Sequence, residues 1–113
     1  MSNAIVLGWN RATPGREKHA MEQFMEFQGW LAKQQQNKTI ESHQTVLLAA
    51  HGGDLNGFVL ITGEPEKLGK LTMGDEWVDF MIRGGMNMMG LGATQAYVGA
   101  AVPKLMEKWG KYI

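Results

Sequence analysis

The chain has three histidines and no cysteine. Acid–base chemistry near neutral pH therefore falls to His19, His43 or His51 and whatever carboxylate stands beside one of them. His51 opens the stretch HGGDLNGF, residues 51–58, three positions before Asp54. A carboxylate that fixes a histidine tautomer turns the ring into a usable general acid or base, so His51 and Asp54 form the candidate catalytic pair. Arg83 is the third candidate, because a buried guanidinium needs an acidic partner or a ligand carboxylate.

Each candidate has a plainer counterpart. Gly52 and Gly53 supply positive φ, Asp54 and Asn56 satisfy turn backbone groups, and Gly57 returns the chain to a strand. On that reading HGGDLNGF is a hairpin tip, and Arg83 is a solvated helix residue. Both alternatives stand at the level of sequence.

Several chemistries fail on spacing. Gly52 and Gly57 have the separation of a phosphate loop, but Phe58 and Val59 occupy the places of its lysine and hydroxyl residue. GEPEKLGK, residues 63–70, has one intervening residue too many. A calcium loop would need acidic ligands downstream of Asp54 and Asn56 that are missing. His51 and Asp54 lack a third metal ligand nearby in sequence. No nucleophile motif and no dinucleotide fingerprint occurs. No metal and no cofactor is expected.

The elements that must position these residues are readable from periodicity. AIVLGW, residues 4–9, is a strand. After NRATPG, a helix runs from Arg16 to about Gln36, with Ala20, Phe24, Phe27 and Leu31 on one face and Met21 and Gln28 flanking it. Residues 40–50 form a strand that is polar first and apolar later, and FVLITG, residues 58–63, pairs back onto it. Pro65 and Gly69 mark a connection holding a helical turn. A second helix runs from Asp75 to about Met88, with Trp77, Phe80, Met81, Gly84 and Met88 at helical spacing. The tandem Gly84–Gly85 is expected to bend or end it. Residues 92–100 give the last strand, and Pro103 opens a short terminal helix.

The order βαββαβ plus a C-terminal helix is that of an α+β, ferredoxin-like domain spanning residues 1–113, an antiparallel sheet with two helices on one face. The first strand and the end of the second are apolar at consecutive positions, as in strands buried on both faces. One helix layer covers only one face. A second copy of the sheet would cover the other, so the expected partner is the protein itself, as a homodimer through the sheet face.

The element order, the length and the doubly apolar sheet resemble the dimeric α/β-barrel superfamily, which includes antibiotic-biosynthesis monooxygenases, haem-degrading monooxygenases and muconolactone-isomerase-like proteins. The resemblance covers nearly the whole chain and lies in pattern. It implies a dimeric α/β barrel with ligands held between sheet and helices. Here that space would be walled by Phe24, Phe27, Trp77, Phe80, Met81 and Met88, with Asn10, Arg83, Gln95 and Tyr97 as polar groups able to reach in. Haem-degrading members use an asparagine on the first strand, a tryptophan on the second helix and a downstream histidine. Asn10 and Trp77 match the first two, but the last histidine, His51, lies upstream of Trp77, which argues against haem degradation. Cofactor-free oxygenases hold aromatic substrates with tryptophan, asparagine, arginine and tyrosine. Trp9, Asn10, Trp77, Arg83 and Tyr97 supply those types, and Phe24 and Met81 complete the candidate substrate-binding set.

Composition narrows the partners. Eleven basic residues balance eleven acidic ones, and the charges are scattered, so nothing in the chain draws nucleic acid or anionic lipid. No apolar run reaches membrane-spanning length, and MSNAIVLGW lacks the basic start of a signal peptide. A cytoplasmic protein is the expectation. At 113 residues the chain would bury about 65% of its unfolded surface, enough for one core. Two functions remain: a cofactor-independent oxygenase or isomerase acting on a small aromatic compound, or a non-catalytic binding or scaffold homodimer whose interior is filled core.

Overall fold

The computed structural model describes all 113 residues. Its order is β1 (Ala4–Trp9), β2 (Arg11–Ala12), α1 (Glu17–Gln36), β3 (Ser42–Leu47), β4 (Gly57–Thr62), α2 (Pro65–Met73), α3 (Asp75–Asn87), β5 (Met88–Met89), β6 (Gly92–Ala96) and α4 (Ala101–Gly110). The main sheet is ordered β3-β4-β1-β6, and each neighbouring pair is antiparallel. This is the ferredoxin-like α+β arrangement. Strands β1 and β3, joined through α1, run parallel with β4 inserted between them.

Alternation along the strands divides the sheet into two faces. Ile5, Leu7, Val59 and Ile61 point towards the helices and join Phe27, Trp30, Leu31, Trp77 and Phe80 in a single buried cluster. The register sets Thr45 beside Val59 on that face, where its hydroxyl accepts a bond from Gln28 Nε2 of α1 at 2.9 Å. Val6, Val46, Phe58 and Leu60 point the other way and remain half-buried. No second layer covers them, and the thinnest extent of the protein is 21 Å.

The structure moves several expected boundaries. The second long strand stops at Leu47, because the Leu48 N–H turns to the Asn56 carbonyl at 3.0 Å to open the loop. Leu48, Ala49 and Ala50 are therefore exposed loop residues. The last strand ends at Ala96, where Val98 instead pairs with the Asn3 side chain through both its N–H and its carbonyl. Residues 65–73 form a complete helix with Pro65 at its start. The terminal helix begins at Ala101, ahead of Pro103, whose missing N–H falls in the first turn where no intrahelical partner exists.

The glycine pair does not break α3, which continues to Asn87. Only Gly84 has a packing reason to be glycine. A Cβ on Gly84 would lie 2.5 Å from Leu91 Cδ2, whereas one on Gly85 would meet nothing within 4 Å. Beyond the helix, the chain pairs β5 with β2, anchored by Asn10 N–H to the Met89 carbonyl (2.9 Å) and Thr13 N–H to the Asn87 carbonyl (2.8 Å). This two-stranded ribbon carries the end of β1 past the edge of the main sheet and over the end of α3.

Helix α4 stands apart. It contains no fully buried residue, and Val102, Met106 and Trp109 are exposed along one side, Trp109 by 61%. A ten-residue helix is marginal alone in water, so a surface of this kind needs cover.

Candidate functional site

The space between α1, α3 and the sheet is open at one end. A cleft of about 570 Å³ lies there, within the roughly 300–1,000 Å³ of ordinary small-molecule sites. Its floor is Leu7, Trp9 and Val59 from the sheet. Its walls are Ala20, Phe24 and Phe27 from α1 and Phe80, Met81 and Gly84 from α3, with Met88 and Leu91 closing the far side. Met21 and Met25 stand at the rim, exposed by 70% and 64%. Only Glu17 and Gln23 bring polar side chains to this surface.

Local sequence explains the shape. Gly57 sits opposite Trp9 in the register, and a Cβ there would fall 2.6 Å from Trp9 Cζ2. The glycine thus lets the indole lie flat across the β1–β4 pair, where it meets Phe24 edge-on at 6.0 Å. Gly84 makes the matching space for Leu91 on the other side.

Behind the cleft runs a polar chain, buried at Gln23 and Asn87 and exposed at Arg16. Gln23 Nε2 donates to the Phe80 carbonyl at 2.9 Å, Asn87 Nδ2 donates to Gln23 Oε1 at 2.7 Å, and Arg16 Nε donates to Asn87 Oδ1 at 2.8 Å. Gln23 and Asn87 are 8% and 5% exposed. These bonds tie α1 to the C-terminal half of α3 and fix the width of the cleft. Sequence reading missed Gln23, Asn87, Glu17 and Leu91. For Gln23 the signal exists: it lies three residues after Ala20 and four before Phe27, a polar residue inside an apolar stripe.

Of the expected substrate-binding residues, the structure brings Trp9, Phe24 and Met81 together in the cleft. Trp77 is buried instead in the aromatic cluster, 6.1 Å from Phe27 and 6.3 Å from Trp30. Its other side borders a recess of about 240 Å³ with Ile5, Leu68 and Gln95. Asn10 is turned away from the cleft, accepting a 2.8 Å bond from Asn56 Nδ2. Tyr97 is half-buried past the end of β6, on no surface shared with Trp9.

The catalytic candidates are not assembled. His51 is exposed, and its Nδ1 donates to the Ala49 carbonyl at 3.0 Å rather than to Asp54. Asp54 is exposed in the same loop. The loop itself is organised as a turn: Gly52 has φ +81°, and Asn56 donates its N–H to the Trp9 carbonyl (2.9 Å) and its amide to the Gly53 carbonyl (3.3 Å). Arg83 lies on the outer face of α3, paired to both oxygens of Glu26 at 3.2 and 2.6 Å. Those bonds hold the Glu26 carboxyl below its ordinary pKa and raise that of Arg83. No group of three or more histidine, aspartate or glutamate side chains is arranged to hold a metal ion. A groove of about 670 Å³ at the opposite end of α1 is lined mostly by polar side chains, among them Lys38, Lys67, Lys70, Asp75 and Glu76.

The sequence matches no protein-family model, and no curated protein is similar to it. Its fold does have solved counterparts. A dimeric protein of unknown function and ferredoxin-like fold from Bacteroides fragilis superposes with a TM-score of 0.60 at 7% identity, covering 84% of this chain and 94% of its own. PA3566 from Pseudomonas aeruginosa gives a TM-score of 0.57 at 13% identity, covering 88% of this chain and 97% of its own. At these identities the likeness is one of fold: the chain has a ferredoxin-like architecture.

Proposed function

We propose that the protein binds a small, largely apolar molecule in the cleft between α1, α3 and the sheet. The observation that carries this reading is the lining itself: 14 of 17 residues are hydrophobic, and Gln23 stands among them with its amide held by Phe80 and Asn87. Apolar walls with one or two placed polar groups are the usual composition of a ligand site. Methionines at the rim suit an adaptable opening. The geometry favours binding over turnover, because His51, Asp54 and Arg83 stand outside the cleft. An oxygenase or isomerase activity would have to draw on Trp9, Gln23 or Glu17 instead.

The reading includes a homodimer. Val6, Val46, Phe58 and Leu60 leave an apolar strip on the outer sheet face, and α4 adds an exposed apolar side. A second copy would cover both, and the dimeric Bacteroides fragilis protein shares the fold. Native mass spectrometry of freshly purified protein tests both parts. A dimer carrying a defined small-molecule mass, lost in Met81→Trp, is the expected result. A monomer would remove the dimer, and an adduct retained by Met81→Trp would place the ligand elsewhere.

A further inference from the structure

We propose that the cleft selects uncharged ligands and rejects anions. The inference rests on the cleft being a ligand site and adds the charge class of what enters it. Glu17 is the one ionisable side chain on the lining, and it occupies the first turn of α1. That is the position where a helix N-terminus would otherwise favour an anion. Its carboxylate already accepts the Gly15 N–H at 3.2 Å.

The cations nearby lie off the lining. Arg16 is turned towards Asn87, Arg83 is paired with Glu26, and Lys18, exposed as Glu17 also is, is not on the lining. A carboxylate, sulfonate or phosphate entering would lose its water, find no basic partner and face Glu17. Gln23 offers what an uncharged ligand can use. Its amide has two N–H groups and an acceptor oxygen with two lone pairs, and one of each is taken by Phe80 and Asn87. One N–H and one lone pair remain, enough for a single hydroxyl, carbonyl or amine N–H on an otherwise apolar ring system.

A matched pair of fluorescent probes tests this. N-phenylnaphthylamine is neutral, and anilinonaphthalene sulfonate is the same skeleton carrying one negative charge. The neutral probe is expected to bind at least about tenfold more tightly, a difference near 1.4 kcal/mol. Glu17→Lys should narrow that ratio, and the filling variants Met81→Trp and Ala20→Leu should weaken both probes. Equal binding by the wild type, with both probes lost in the filling variants, would overturn the charge selectivity and leave the ligand site standing. Binding of neither probe, or binding that both filling variants leave intact, would overturn the site and this inference together. If neither probe binds and Met25→Lys splits a dimer, the cleft is a contact between copies.

Discussion

The two ends of the helix layer are built from the same helices and behave differently. At one end Phe27, Trp30, Trp77 and Phe80 close the gap between α1 and α3, with ring centroids 5.1 to 6.3 Å apart. The Trp30 indole N–H donates to Glu76 Oε2 at 3.0 Å and ties the cluster to the start of α3. At the other end the contributions are Phe24, Met81, Met21, Met25 and two small residues, Ala20 and Gly84, and a cleft remains. Large rigid rings fill an interhelical gap, whereas small and flexible side chains at the same helical spacing leave it open. One apolar stripe thus supplies both the core and the candidate site.

The largest expected contrast is in stability. Trp30→Ala at the closed end should cost about 3–5 kcal/mol, the usual range for removing a buried aromatic. Phe24→Ala, at a position already half-exposed, should cost well under half of that in urea titrations. Equal losses would mean that the cleft end is packed as tightly as the core.

A smaller effect comes from the polar chain that sets the cleft width. Asn87→Ala leaves the buried Gln23 Oε1 without its partner and releases the exposed Arg16 to solvent, and about 1–3 kcal/mol is expected from stranding the buried amide oxygen. Its second readout is probe affinity, which should fall with the loss of α1–α3 alignment, whereas a variant at the closed end should leave the cleft lining in place. A stability loss with unchanged affinity would reduce the chain to a structural role.

The tandem glycines sharpen the comparison further. Gly85→Ala has open space and should stabilise α3 by about 0.5–1 kcal/mol. Gly84→Ala pushes on Leu91, so the same gain in helix propensity is offset and the cleft narrows. Thermal melts together with probe binding separate the two. Identical behaviour would contradict the packing described for Leu91.

The smallest effect belongs to the exposed Arg83–Glu26 pair, whose side chains are 45% and 54% exposed. Glu26→Gln should cost no more than about 0.5 kcal/mol, and salt should reduce it. Because the folded carboxyl is held below its ordinary value, the pair's contribution is present above the unfolded carboxylate pKa of about 4.3. It disappears as pH falls through the lower folded value. A wild-type minus Glu26→Gln difference that grows on acidification would contradict that sign.

Much of the architecture was legible because it follows from periodicity. The stripe Ala20, Phe24, Phe27 and Leu31 oriented α1, and the apolar runs located β1 and β4. Boundaries moved where tertiary hydrogen bonds intervened, as at Leu48 and Val98. The glycine pair misled because propensity says nothing of a neighbour such as Leu91, which the β5 ribbon brings back against Gly84 seven residues on. Six cleft residues, Trp9, Phe24, Phe27, Phe80, Met81 and Met88, followed from residue type and face. His51 with Asp54, and Arg83, did not converge on it, since closeness in sequence or a suitable residue type does not fix where a loop tip or an exposed helix face points. Gln23 was hidden because its importance lies in Asn87, 64 positions away.

The most direct test of the central claim uses the nine methionines as reporters. In protein labelled with ¹³C at the methionine methyls, a neutral ring compound such as naphthol should shift the signals of Met21, Met25, Met81 and Met88 around the cleft. Met1, Met73 and Met106, which do not line it, should stay in place. Shifts confined to Met73 or Met106, or none at saturating naphthol, would contradict the assignment of the cleft as the ligand site.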